Sequence, residues 1–89
     1  MMLSYHAAYY PIEDGWYLAE VLDFPGVVTQ GKNLKEARRM LRSAMKDMVE
    51  WRLTEGEALP KPKKKITHRK AELVESLQVS LQVRAGTMV

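Results

Sequence analysis

The segment Asp23–Ala37 reads DFPGVVTQGKNLKEA and decides the fold predicted for this chain. Proline cannot donate a hydrogen bond to a β ladder and glycine admits a positive φ, so Pro25-Gly26 predicts a tight corner after an extended strand. The β-branched residues that follow predict a short strand at Val27–Thr29, which Gly31 closes. A helix start comes next, so the segment joins a sheet to a helix, as is typical of a small α+β domain.

Alternating side chains on both sides of this segment predict three further strands. The first covers Leu3–Tyr10 and carries three aromatic residues, and a turn at Pro11–Gly15 leads into the second, Trp16–Leu22. Both faces of this second strand are apolar, so we expect it inside the sheet, paired with the first as a hairpin. The last strand covers Ala71–Arg84 and is apolar on one face and mostly polar on the other.

A helix is predicted to start after Asn33 and to end near Leu53. Asn33 and Glu36 have the spacing of an N-cap residue and its reciprocal partner. Behind them, apolar residues recur at helical spacing and predict a stripe that faces the sheet; they are Leu34, Ala37, Leu41, Ala44, Met45 and Met48. The predicted fold class is therefore α+β in the order β-β-β-α-β, with one long amphipathic helix packed on a mostly antiparallel sheet and the long C-terminal strand shared between subunits. The predicted parts are a β-β-β-α core at 1–53, a basic Pro- and Lys-rich connector at 54–70, and the final strand at 71–89.

Basic residues concentrate on one face of the predicted helix and in the connector, and the formal net charge is +3. A solvated helix face is the simplest interpretation of the helix cations. The alternative is that both clusters contact the phosphates of DNA or RNA, with a steep dependence of binding on salt. The connector cations face no acid between Lys61 and Lys70, which favours a flexible electrostatic arm over a shaped groove. The candidate nucleic-acid contacts are Arg38, Arg39, Arg42, Lys61, Lys63, Lys64, Lys65, Arg69 and Lys70.

The chain has 89 residues and no cysteine, so neither disulfides nor thiolate metal sites reinforce its small core. We therefore expect it to bind copies of itself, as a dimer or a tetramer. A final strand longer than its neighbours leaves backbone groups unpaired, and pairing with a second subunit would satisfy them. The predicted oligomer interface consists of apolar residues of this strand, Leu73, Leu77, Val79, Leu81 and Val83.

The sequence carries no catalytic or cofactor motif. Its two histidines, His6 and His68, have no Cys or carboxylate at metal-ligand spacing, and we expect His6 to be a surface residue of the first strand. Glu20 and Asp23 stand three apart on a strand and so point to opposite faces, which argues against a shared metal ion unless the chain bends at Leu22. We therefore predict a non-catalytic protein without a metal, a cofactor or a small-molecule substrate.

The hydropathy pattern predicts no contact with a membrane. No stretch approaches the roughly 18 consecutive apolar residues that a membrane span requires. The N-terminal residues lack a basic region before an apolar core, so no secretory signal is predicted. We expect a cytoplasmic protein.

Three short motifs, in this order and spacing, resemble the HicB antitoxin family, including its small stand-alone UPF0150-type members. They are Gly15-Trp16-Tyr17 at the start of a strand, the corner Asp23–Gly31, and Leu34 with Glu36-Ala37 at the start of the helix. The resemblance covers residues 1–53. The turn residues that carry the family motif are Phe24, Pro25, Gly26, Thr29, Gln30 and Gly31.

The resemblance implies a β-β-β-α-β domain like a truncated RNase H fold without its catalytic carboxylates. It also implies an antitoxin that binds and neutralises a HicA-type mRNA interferase by blocking its active site. Many HicB proteins add a C-terminal helix-turn-helix or ribbon-helix-helix domain for operator DNA, whereas the residues after Pro62 offer only the connector and one strand, so operator binding through such a domain is not expected. Two functions stay open, a HicB-like antitoxin and a small basic nucleic-acid-binding oligomer.

Overall fold

The computed structural model describes residues 2–80, which form a four-stranded antiparallel sheet with one long helix packed on one face. We call the face that the helix covers the first face and the opposite one the second face. The elements in chain order are β1 (Met2–Pro11), β2 (Tyr17–Val21), β3 (Val28–Gly31), α1 (Leu34–Thr54) and β4 (Leu73–Ser80). The strand order across the sheet is β3-β2-β1-β4, and every neighbouring pair is antiparallel. The predicted α+β class and the β-β-β-α-β order are confirmed.

The strand β1 organises the sheet because it pairs with β2 on one side and with β4 on the other. Tyr9 lies opposite Ala19 of β2 and also opposite Leu73 of β4. β2 lies between β1 and β3, as its two apolar faces predict. β3 starts one residue later than predicted, because Val27 is buried in the corner, where its carbonyl oxygen accepts a hydrogen bond from the N–H of Val21 at 3.0 Å.

The helix α1 starts as its sequence predicts. The Asn33 side chain accepts a hydrogen bond from the N–H of Glu36 at 2.8 Å, which satisfies one of the free donors of the first helical turn. The Glu36 carboxylate reaches back and accepts a hydrogen bond from the N–H of Lys32 at 3.4 Å. The helix ends at Thr54, two residues before Gly56, which adopts a positive φ of 73°. No helix among residues 2–80 is long and apolar enough to cross a membrane.

The core lies between α1 and the first face of the sheet. The sheet contributes Tyr5, Ala7, Tyr9, Ala19 and Val21. The helix contributes buried residues one turn apart, Ala37, Leu41, Met45 and Val49. Gly31 lets the helix approach β3 this closely, since a Cβ at Gly31 would lie 2.4 Å from the backbone nitrogen of Ala37.

The first half of the connector leaves the C-terminal end of α1 and returns to the sheet through two contacts. The Tyr5 hydroxyl, at the core, donates a hydrogen bond to the carbonyl oxygen of Pro60 at 2.7 Å. Three residues later, the N–H of Lys63 donates to the Asp23 carboxylate at 3.1 Å. These contacts hold the first half of the connector beside the corner that joins β2 to β3.

The second half of the connector runs along the second face of the sheet. His6, Ala8 and Tyr10 share the β1 parity that points away from α1. The His68 ring stands edge-on to the Tyr10 ring, with 5.2 Å between centroids, and Ala8 is fully buried although α1 lies on the other face. The cations of the connector are exposed, as predicted, while Ile66 is half-buried.

Candidate interaction surfaces

The residues of the family-motif turn form the corner between β2 and β3, and Phe24 anchors it. The Phe24 side chain is fully buried, its ring stands edge-on to Tyr5 at 5.3 Å between centroids, and the Arg52 guanidinium lies 5.1 Å from its centroid. Gly26 adopts a φ of 92°, a conformation that side chains with a Cβ rarely take. Pro25 is exposed at the tip of the corner.

The remaining turn residues lie on β3. Thr29 is half-buried and faces the helix side, Gln30 is exposed, and Gly31 is buried against the first turn of α1. The motif therefore shapes the backbone and fills the core, and it presents Pro25 and Gln30 to the outside.

Asp23 is a buried charge that the sequence reasoning did not recognise as a structural centre. Its carboxylate accepts hydrogen bonds from the His6 N–H at 2.8 Å, from the His6 ring Nδ1 at 2.9 Å and from the Lys63 N–H at 3.1 Å. Burial favours the neutral acid, but the hydrogen bonds from His6 and Lys63 outweigh it and hold the pKa of Asp23 below its ordinary value. Because the ionised carboxylate can only accept, Nδ1 of His6 carries the proton in this pair.

The prediction that His6 is a surface residue is wrong, since only 16% of its side chain is exposed. The strand parity is as predicted, but the connector and Asp23 occupy the face that the sequence pattern left open. No spacing rule links His6 to Asp23 or Asp23 to Lys63, because the pairs are 17 and 40 residues apart.

The carboxylates weighed as metal ligands have separate partners. Glu20 accepts a hydrogen bond from the Tyr10 hydroxyl at 2.6 Å, and burial together with this bond raises the pKa of Tyr10. The prediction that Asp23 points to the face opposite Glu20 is wrong: His6 and Lys63 hold Asp23 on the same side of the sheet as Glu20, because β2 ends at Val21 and the chain turns before Asp23. Within the described part of the chain, no three His, Cys, Asp or Glu side chains are placed to hold a metal ion.

Arg38 differs from the other candidate nucleic-acid contacts because its guanidinium is already engaged. Its Nε and Nη2 donate to the two carboxylate oxygens of Glu75 at 2.8 and 3.1 Å, which ties α1 to β4. The guanidinium also lies 5.9 Å from the centroid of the Tyr9 ring. Burial, with Glu75 as a further cause, raises the pKa of Tyr9 to about 12.

The remaining cations of the predicted set are exposed and lie in two places. Arg39 and Arg42 lie on α1, where Arg42 borders the groove described below. The connector cations lie at the corner and over the second face of the sheet; they are Lys61, Lys63, Lys64, Lys65, Arg69 and Lys70. The fold therefore separates the helix cations from the connector cations.

The predicted oligomer residues that the structure describes point inward. Leu77 is buried in the core, and Leu73 and Val79 pack against it. Leu81 and Val83 lie outside the described residues. The outer edge of β4 has no neighbouring strand in residues 2–80, since β4 ends the sheet.

A groove of about 570 Å³ lies between the C-terminal half of α1 and the end of β4. The apolar residues that line it are Met45, Val49, Leu53, Leu77 and Val79. The charged residues that line it are Arg42, Lys46 and Glu50. The groove adjoins the open edge of β4 and can accept an elongated apolar segment.

Comparisons with known proteins agree with this architecture. Residues 5–60 match the family model described as UPF0150-like, whereas no curated protein matches the sequence. The fold is similar to the crystal structure of the N-terminal domain of Burkholderia pseudomallei antitoxin HicB, with a TM-score of 0.71 and 20% identity over 89% of this chain and 100% of that chain.

Two further structures are similar. A chain of a toxin-antitoxin complex from Streptococcus pneumoniae has a TM-score of 0.71 and 17% identity, over 90% of this chain and 70% of that chain. The Burkholderia pseudomallei antitoxin HicB has a TM-score of 0.68 and 20% identity, over 91% of this chain and 64% of that one. By the family model that matches most of its length, this chain belongs to the UPF0150-like family, and it has the fold of HicB antitoxin N-terminal domains.

Proposed function

We propose that this protein is an antitoxin that binds and neutralises a HicA-type mRNA interferase in the cytoplasm. The observation that carries the proposal is the fold, which is similar to the whole of a HicB antitoxin N-terminal domain, together with membership of the UPF0150-like family. The similarity to a chain of a toxin-antitoxin complex supports the same assignment. The protein acts by covering its partner, so its surface carries the function.

A non-catalytic role fits the chemistry of the described residues. Asp23 and Glu75 are taken up by hydrogen bonds within the chain, and Glu20 accepts from Tyr10. The single His–carboxylate pair that these residues form, His6 with Asp23, also holds the connector and is mostly buried. A group that both holds the fold and is shielded from solvent is poorly placed to act on a substrate.

We also propose that two copies associate through the outer edge of β4. This edge extends over eight residues, Leu73–Ser80, without proline, and Glu75 is its single charged residue. Such an edge offers unpaired backbone donors and acceptors to another strand. Antiparallel pairing of two β4 strands about a twofold axis would extend the sheet into the second subunit.

The antitoxin function is tested by co-expression. We expect a HicA-type interferase to be encoded beside the gene of this chain. The two proteins are expressed from separate inducible promoters, and growth and intact mRNA are measured. We expect growth to be restored, and the purified proteins to co-elute as one complex. A toxin that stays fully active in the presence of excess folded protein contradicts the proposal.

A second function, binding to nucleic acid, is favoured by one observation, the exposed cations of the connector. Lys61–Lys70 contains six of them and follows the sheet surface from Asp23 to Tyr10. Cations held along one face can contact successive phosphates and release counterions. If this is the function, the affinity for duplex RNA or DNA falls steeply with salt.

The test compares two triple variants that remove the same charge. Replacing Lys63, Lys64 and Lys65 with Ala should weaken binding to duplex RNA and DNA and flatten its salt dependence without changing oligomer size. Replacing three exposed lysines elsewhere, Lys32, Lys35 and Lys46, with Ala is the control. Equal effects of the two variants indicate unspecific attraction, and millimolar, salt-independent binding by the unaltered protein excludes this function.

A further inference from the structure

An exposed apolar stripe follows the flank of α1 that faces β3. Met40 and Trp51 retain 37% and 54% of their surface, and exposed apolar side chains are informative where they form a contiguous patch. Ala44 and Met48 lie between them and are half-buried at the edge of the core. Because residues three and four apart share a helix face, these four side chains, the Met40–Trp51 stripe, form one continuous surface.

The stripe lies beside the family-motif corner and on the other flank of α1 from Arg38, Arg42 and Lys46. Arg52, the cation that follows Trp51, places its guanidinium 5.1 Å from the centroid of the buried Phe24 ring. The terminal methyl of Met48 lies 3.8 Å from the position of a Cβ at Gly26. The opposite flank of the helix faces β4, as the Arg38–Glu75 ion pair shows. The stripe and the basic flank are therefore two separate surfaces of the same helix.

An exposed carboxylate, that of Asp47, lies beside the stripe. Asp47 is exposed, precedes Trp51 by one helical turn, and forms no ion pair with any residue between 2 and 80. Its neighbours on the helix surface at three and four residues are Ser43, Ala44, Glu50 and Trp51, and none of them is basic. An unpaired carboxylate beside an exposed tryptophan is complementary to an apolar pocket rimmed by cations.

We propose that the Met40–Trp51 stripe docks a basic protein, with Trp51 as the anchor and Asp47 facing a cation of the partner. This inference rests on the proposed function: a toxin that cleaves mRNA needs cations to hold RNA phosphates, so it is the partner of the required charge. A second copy of this chain fits less well. A twofold contact centred on the stripe would bring two Asp47 carboxylates together.

The test measures the affinity of the full chain for the toxin encoded beside its gene, by calorimetry or biolayer interferometry. Trp51→Ala should weaken binding about tenfold or more, as expected for an aromatic anchor. Asp47→Lys should also weaken binding, and its effect should shrink as salt is raised. The matched controls lie on the opposite flank: Arg42→Ala and Lys46→Ala should stay within about twofold of the unaltered protein.

The outcomes separate this inference from the function on which it rests. If the unaltered protein does not bind the toxin, both fall. If it binds, and the two stripe variants bind equally well, the docking surface is wrong and the antitoxin function stands. If Trp51→Ala converts a dimer into monomers, the occupant is a second copy, which also overturns the inference. Thermal unfolding shows whether Trp51→Ala still folds, and Asp47→Lys, at an exposed position, carries the test if it does not.

Discussion

The corner at Asp23–Gly31 and the connector between α1 and β4 meet at Asp23 but are held in different ways. The corner is held by local geometry: Gly26 takes a positive φ, Phe24 fills the core, and Gly31 makes room for α1. The connector is held by contacts to distant residues, through Pro60, Lys63 and His68. The corner is therefore fixed by residues close together in the sequence, whereas the connector beside it is fixed by contacts with residues far away in the sequence.

This difference has a physical consequence for stability. Altering the corner disturbs the packing of α1 on the sheet, and this affects the whole fold because a small domain has one core. Altering a tether should release the connector from the second face of the sheet while leaving the core intact, since local opening costs less than global unfolding. Substitutions in the corner should therefore lower the stability of the whole fold, whereas substitutions in the connector should have smaller effects that are confined to the connector.

The largest effect is expected for Gly31→Ala. A Cβ at Gly31 would lie 2.4 Å from the Ala37 nitrogen and 2.8 Å from its Cα, and backbone atoms cannot move aside as a side chain can. We expect the free energy of unfolding to fall by about 3 kcal/mol or more, measured by urea denaturation. Gly15→Ala is the control, because its φ is 79° but no atom lies within 4 Å, and it should cost about 1 kcal/mol. Equal losses of unfolding free energy in the two variants would mean that the close approach of Gly31 to the backbone of α1 does not hold the corner in place.

Asp23→Ala should have the next largest effect and should act on both regions. It leaves the His6 N–H and the Lys63 N–H without an acceptor, and we expect a loss of about 2 kcal/mol in the free energy of unfolding. Hydrogen exchange should accelerate at Lys63 more than at the amides of β2. Asp23→Asn keeps one oxygen acceptor and should lose less. Unchanged exchange at Lys63 would show that this carboxylate does not hold the connector.

The lowered pKa of Asp23 predicts that the protein loses stability at acid pH. The pKa of Asp23 lies below its ordinary value of 3.8, so the folded state binds the proton less readily than the unfolded state. The stabilisation is therefore fully present above pH 3.8 and disappears as the pH falls through the folded-state pKa. Urea denaturation from pH 6 down to pH 2 should show a difference between the unaltered protein and Asp23→Asn that narrows at the acid end. A constant difference would contradict this linkage.

Tyr5→Phe removes one tether and keeps the ring. The lost hydrogen bond to the Pro60 carbonyl oxygen should cost about 1 kcal/mol. The ring contact with Phe24 remains, so the corner should be unaffected. Tyr17→Phe is the matched control, because it removes a hydroxyl that bonds to Glu72 at an exposed site and should lower Tm less. A larger loss for Tyr17→Phe would reverse the ranking of these two bonds.

The sequence predicted the corner better than the connector, because the corner is held by local contacts and the connector by long-range ones. The cap formed by Asn33 and Glu36, the corner at Gly26 and the alternation of β4 are encoded within a few neighbouring residues, and the structure agrees with each. The connector depends on backbone groups of Pro60 and Lys63, which no side-chain pattern reveals.

For the candidate surfaces, too, the sequence predicted local features and not the contacts between distant residues. The sequence showed Arg38 as one of several helix cations, and its pairing with Glu75, 37 residues away, depends on the tertiary fold. Helical spacing placed Ala44 and Met48 in the apolar stripe toward the core, but the structure sets them at its edge. Periodicity gives the apolar side of a helix, whereas the width of the covered strip depends on the elements packed against it.

The smallest effect is expected at the far end of the connector, for His68→Ala. The His68 ring is exposed and contacts Tyr10 edge-on, and it accepts a hydrogen bond from the Lys70 N–H at 3.2 Å. Such a contact at the surface contributes about 0.5 kcal/mol, so the thermal midpoint should change only slightly, while hydrogen exchange should accelerate near Lys70. Thr67→Ala, at the neighbouring exposed position, is the control and should leave both measurements unchanged. A loss for His68→Ala as large as that for Tyr5→Phe would mean that the ring contact, and not the backbone tether, holds the connector on the sheet.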